Sequence, residues 1–129
     1  GLAQMEKIRY VLKEKQKNYI LYKDKFSNLQ KFDILSTPSY SINNNWINIL
    51  KINPKYKVSM KYVLNYLLTK NIEVRPVWHL NHLQKMFKKY QSYKISNAID
   101  LLKFSLCIPS SVGLKENQIK KIIEALNEI

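Results

Sequence analysis

Two histidines, one cysteine and an arginine set among apolar residues are the groups of this chain that could do chemistry. His79 and His82 stand three apart, which on a helix turns both imidazoles to one face, where they could fill two positions around a metal. Cys107 could add a third ligand, or meet a histidine in the fold as a nucleophile pair. Neither pattern is completed. No CxxC, HExxH or paired acidic ligand accompanies them, and Cys107, flanked by Leu106 and Ile108, reads as a small core residue. The nine acidic residues lie mostly among lysines, with no evident general-acid pair. Glycine occurs only at positions 1 and 113, so there is no glycine-rich phosphate loop.

Arg75 poses a different question, because it interrupts an apolar run beside Pro76 and Trp78. An unpaired guanidinium is costly to bury, so it needs a carboxylate, a phosphate or open space. Two readings stay open: an ion pair with a nearby acid such as Glu73, or contact with an anionic ligand or an adjoining domain. Trp78 is equally a core anchor or a stacking platform.

The elements that must position these residues follow from periodicity. Met5, Ile8, Leu12, Tyr19, Tyr22, Phe26 and Leu29 recur at helical spacing, with Lys15 filling the gap, and predict one long helix. A loop over 36–45 leads to a strand over 46–52, closed by Pro54. Ser59 is placed to cap a helix over 60–70, and Asn71 to end it in the left-handed conformation. A strand over 72–78 follows, with Pro76 at an edge or a frayed end. Short helices are expected over 82–90 and over 96–103, the second capped by Ser96. A strand over 104–108 and a final helix carrying Ile119, Ile122, Ile123 and Leu126 complete the chain. The expected architecture is an α/β (α+β) small domain over 1–129. Its long helix spans about 2–30, and strand–helix–strand–helix–helix–strand–helix spans about 45–129, giving a helix-covered sheet of about three strands.

Composition bounds the rest. A chain of 129 residues suits one domain, able to bury roughly two-thirds of its unfolded surface. No apolar run approaches the roughly 18 residues of a membrane span, and no signal-peptide core opens the sequence. A single cysteine rules out an internal disulfide and fits a reducing cytoplasm. The start at Gly-Leu-Ala, without an initiator methionine, suggests a piece of a longer protein. The net charge of +13 invites a nucleic-acid-binding reading, but only Arg9 and Arg75 of the 22 basic residues are arginine. Readers of nucleic acid lean on arginine's fork, whereas scattered lysines make a solvated surface. A helical interaction domain dimerising through the Met5–Leu29 stripe is the other alternative.

Taken in order, several motifs resemble one family. The opening GLAQMEK at 1–7 resembles the start of the inter-domain helix in the DegT/DnrJ/StrS-type aminotransferases, pyridoxal phosphate enzymes that aminate nucleotide-linked keto sugars. Asn45-Trp46 is similar to the family's tyrosine–tryptophan pair ahead of its first small-domain strand, with asparagine for tyrosine. NIEVRPVW at 71–78 resembles the family's GIExRPVW, with Asn71 for glycine, an exchange a left-handed helix cap tolerates. His82 falls on the histidine of WxLxH, Phe87 on the usual tyrosine, and LCIPSS at 106–111 on the LxIPSS close. The forms at 75–83 and 108–111 look most like the branch making 4-amino sugars for legionaminic acid or bacillosamine-type glycans.

The resemblance implies the C-terminal small domain of a fold-type I aminotransferase, without the N-terminal large domain that carries the aldimine lysine and most of the cofactor's contacts. The intact parent would be a homodimeric, cytoplasmic enzyme. It would use pyridoxal phosphate to move an amino group from an amino acid, glutamate by expectation, to a nucleotide-linked 4-keto sugar. This chain would lack the catalytic lysine, bind no cofactor and be inactive by itself. Arg75, Trp78 and His82, with Asn45 and Trp46, are the expected substrate-facing residues, none with a chemical step. No metal and no membrane are expected.

Overall fold

The computed structural model describes residues 1–129. Its elements in chain order are α1 (Leu2–Glu6), α2 (Ile8–Phe26), β1 (Phe32–Ile34), β2 (Asn48–Ile52), α3 (Met60–Thr69), β3 (Arg75–Pro76), α4 (Ser96–Phe104), β4 (Ser105–Ile108) and α5 (Glu116–Asn127). Single 3₁₀ turns occupy Pro54–Tyr56, Asn81–Leu83 and Lys85–Phe87.

Alternation fixes the sheet. β2 buries Asn48, Leu50 and Ile52, and its antiparallel partner β4 sets Leu106 opposite Leu50 and Ile108 opposite Asn48. β1 joins the outer side of β2, and β3 the outer side of β4, giving the order β1-β2-β4-β3 with every pairing antiparallel. β2 and β3 therefore run parallel with β4 between them, and α3 supplies the crossover of a split β-α-β unit. Helices α2, α3 and α5 close one face over a single cluster of buried residues that includes Tyr22, Phe26, Leu67, Ile119 and Leu126. Only α4 lies over part of β2 outside that core, and no residue of α4 is fully buried.

The expected mixed α/β domain is present, and its differences from the sequence reading have local causes. The sheet has a fourth strand, β1, whose three residues are too few for alternation to register. The strand expected over 72–78 pairs only at Arg75 and Pro76, although Ile72 and Val74 are buried ahead of it. Proline has no N–H to extend the ladder. In place of a helix over 82–90 there are two isolated turns. Leu83, Met86, Phe87 and Tyr90 have helical spacing but remain exposed, so that stripe finds no surface to pack on. Ser96 begins α4 as a helical residue and does not cap it. The long first helix breaks at Lys7 and ends at Phe26.

Both predicted ends of α3 are present. Ser59 Oγ accepts from the Tyr62 N–H at 3.1 Å. Beyond the C-terminus Asn71 adopts φ 58, with the Ile72 N–H donating to the Leu67 carbonyl at 2.9 Å and the Asn71 N–H to Leu68 at 3.0 Å. This double bond is the Schellman arrangement, and the buried Ile72 and Leu67 supply its apolar contact. Asn71→Gly is therefore expected to leave stability within a few tenths of a kcal/mol or raise it, whereas Asn71→Val lowers it by about 1–2 kcal/mol. Urea unfolding of the three proteins checks the order.

Candidate functional site

Helix α2 turns three polar side chains inward along one face: Lys15, Asn18 and Tyr22, at i, i+3 and i+7. They meet three successive carbonyls of the loop after β4. Tyr22 donates to Pro109 at 2.9 Å, Asn18 Nδ2 to Ser111 at 2.9 Å, and Lys15 Nζ to Ser110. The loop thereby gains partners for carbonyls that have left the sheet. Burial raises the Tyr22 phenol above its ordinary value and lowers the Lys15 ammonium below its own.

Lys15 also donates to the Trp46 carbonyl at 3.1 Å, and Ser110 Oγ donates to the same oxygen at 3.0 Å. Trp46 leans on Trp78, with ring centroids 5.7 Å apart and planes at 35°. Both rings stay open to solvent, at 64% and 61% exposure, which makes the pair a surface platform and removes the core-anchor reading of Trp78. Asn45, just before it, has φ 50 and is buried. Its amide donates to the Gln16 side chain, and its N–H to Asn43 Oδ1 at 2.9 Å, so its work here is to hold the turn.

Beside the platform a groove of about 290 Å³ is lined by Ile47, Glu73, Arg75, Cys107, Ser110 and Ser111. Arg75 lies directly across the sheet from Cys107. Its guanidinium bonds Glu73 Oε1 through Nη2 at 2.5 Å and Nε at 3.1 Å, with both side chains largely exposed. Arg75 thus has its acid partner and open space together, a carboxylate screened by water that an incoming anion can replace. Burial raises the Cys107 thiol above its ordinary value, the direction opposite to the one that activates a thiolate.

His82 lies apart from this groove. It lines a second one, of about 400 Å³, with Phe87, Tyr90 and Tyr93, and its Nε2 is buried without a partner. No three His, Cys, Asp or Glu side chains gather to hold a metal. A wider hollow of about 570 Å³ between α4 and β2, walled by Lys51, Asp100 and Phe104, contains none of the predicted residues. The structure thus pairs Trp46 with Trp78, links Trp46 through Ser110 to the groove that holds Arg75, and leaves His82 on a separate loop.

Comparison with known proteins places these motifs. The DegT/DnrJ/EryC1/StrS aminotransferase family model matches residues 1–127. The chain belongs to that family. It is 25% identical over 130 residues to EpsN of Bacillus subtilis (strain 168), described as a pyridoxal phosphate-dependent aminotransferase, covering 98% of this chain and 33% of EpsN. Among solved structures it is similar to DesI determined with its TDP-sugar product, with TM-score 0.88 and 15% identity over 99% of this chain and 33% of DesI. Helicobacter pylori PseC, an aminotransferase of pseudaminic acid biosynthesis, gives TM-score 0.86 at 15% identity over 99% of this chain and 35% of PseC. An Escherichia coli GDP-4-keto-6-deoxy-D-mannose-3-dehydratase with bound hydrated PLP gives 0.84 at 20% identity, over 98% of this chain and 33% of that one. The structural likenesses establish the fold, which serves a dehydratase as well as aminotransferases. The chain spans about a third of the length of these relatives.

Pyridoxal phosphate is the cofactor this family implies. It needs a reachable free amine and a cradle for its phosphate. Lys15, the lysine whose ammonium burial depresses, is committed to two carbonyls, and Gly113 lines none of these grooves. No step through the cofactor is assigned to this chain.

Lys15, Asn18, Tyr22 and Ser110 are the site residues that sequence reasoning missed. Their signal was the polar break at Lys15 in an otherwise apolar stripe. Removing the buried hydroxyl with Tyr22→Phe is expected to cost about 1–3 kcal/mol at neutral pH, because the Pro109 carbonyl loses its donor. The unfolded phenol titrates near 10.0 and the folded one higher, so the hydroxyl's contribution is complete below pH 10 and fades above it. The difference between the two proteins should therefore narrow from pH 10 upward in denaturant unfolding. Lys15 acts with the opposite sign in both proteins and cancels from the comparison.

Proposed function

We propose that this chain is the C-terminal small domain of a pyridoxal phosphate-dependent aminotransferase. The parent moves an amino group from an amino acid, with glutamate as donor, to a nucleotide-linked 4-keto sugar for surface-glycan synthesis, in the legionaminic acid or bacillosamine-type branch. The observation that carries this reading is the exposed Trp46–Trp78 pair beside the Arg75 groove, on a chain that fits the family from residue 1 to 127. Indole faces stack on a base or on the C–H face of a sugar, and Arg75 can exchange Glu73 for a diphosphate oxygen. His82 and its aromatic loop form a second contact surface, while Asn45 supports Trp46 from behind. The larger N-terminal domain supplies the aldimine lysine and the cofactor site, so the 129-residue chain is inactive alone. The parent is a cytoplasmic homodimer; within this chain no helix is long and apolar enough to cross a membrane.

The longer protein containing this chain, given pyridoxal phosphate, glutamate and a UDP-linked 4-keto sugar, should release 2-oxoglutarate and an amino sugar detectable by mass spectrometry. Trp78→Ala in that protein should raise the KM for the sugar nucleotide about tenfold and leave kcat within about twofold, the size of one lost stacking contact. Loss of water from the sugar without nitrogen gain would sink the transamination reading. Pyridoxal phosphate and borohydride added to the 129-residue chain should leave no stoichiometric adduct on any one lysine.

A further inference from the structure

We propose that Lys15 is a positioning residue, which from α2 fixes both the Trp46–Trp78 platform and the Ser110 wall of the Arg75 groove. The proposal deepens the substrate-surface reading given above and rests on it for its functional meaning, whereas its geometry stands without it.

Three segments distant in sequence meet at this point. Residues 45–46 precede β2, Trp78 follows β3, and residues 109–111 follow β4. Asn18 and Tyr22 each reach one carbonyl, both in the last segment. Lys15 alone of the three reaches two segments, placing one ammonium between the Trp46 and Ser110 carbonyls. Ser110 Oγ closes the triangle on the Trp46 oxygen. The peptide that carries the Trp46 ring is thus held by two donors, and the ring's only aromatic neighbour is Trp78. No carboxylate lies within ion-pair distance of Lys15, so its charge is satisfied by these dipoles. A half-buried ammonium with only dipoles for partners is a demanding way to tie a loop. Its three diverging donors can serve both carbonyls at once, which a shorter neutral amide cannot do.

The chain offers a clean reporter, because its only two tryptophans are the two platform rings. Indoles this close and tilted couple their transitions, and the coupling appears as a paired band in circular dichroism. Lys15→Met in the 129-residue chain is expected to lower that band at least twofold and make tryptophan fluorescence more open to acrylamide. Lys15→Arg, which keeps two-point donation, should restore it. Asn18→Ala, which removes only the tether to the Ser111 carbonyl and leaves both donors to Trp46 in place, should retain it. A full band in folded Lys15→Met, or an equal loss in Asn18→Ala, overturns the proposal. If Lys15→Met does not fold, Lys15→Gln carries the test, being polar but too short for both carbonyls; the same twofold loss is expected, and an unchanged band counts against Lys15. These spectra are taken without ligand. A failed substrate reading would show separately, as an unchanged KM in Trp78→Ala of the longer protein.

Discussion

A β-strand that ends beneath a helix leaves carbonyl groups with no ladder to join, and buried carbonyls must find donors. Here β4 ends at Ile108, and the carbonyls of 109–111 are met by side chains of α2. Much else depends on that docking. It seats α2 against the sheet, leaves Tyr22 and Phe26 to fill the core below, and brings the segment before β2 within reach of the same helix. The polar and apolar halves of one helix face therefore do different work: the upper turns tie loops and the lower turns bury surface.

This division explains why the site lies at one end of the sheet. β2 and β4 pair along their cores, and the segments that leave that sheet end carry Trp46 and Ser110. Side chains on the sheet surface away from the core, Arg75 and Cys107 among them, remain open because α4 covers only part of that surface. A groove lined by an arginine, a glutamate and two serines is the product of ordinary pairing rules applied to short strands.

Much of this was legible in the sequence wherever burial and period coincide. α3 and α5 show their faces plainly, and the left-handed end at Asn71 follows from an asparagine placed just past the last periodic residue of α3. β1 was not legible, since three residues cannot display a period, and the stripe from Leu83 to Tyr90 misled because spacing signals a helix only when a surface exists to bury it. Trp46 was found through motif resemblance, whereas the local pattern leaves Trp78 open between a core anchor and a stacking platform. Their partner Lys15 was visible only as an interruption, and what it reaches lies 31 and 95 residues away. Contacts of that separation are tertiary facts.

One consequence concerns mechanics. The α1–α2 segment has two uses along its length: Leu2, Met5, Ile8 and Leu12 stay uncovered at its start, and Lys15 begins the hydrogen-bonded stretch one turn further on. From Ile8 onward α2 is unbroken, so its open end and its loop-tying donors belong to one stiff rod. A body that grips the uncovered end acquires a lever on the groove. Tilting the rod carries the Trp46 and Ser110 segments together, so a force applied at the open end is transmitted to one wall of the groove.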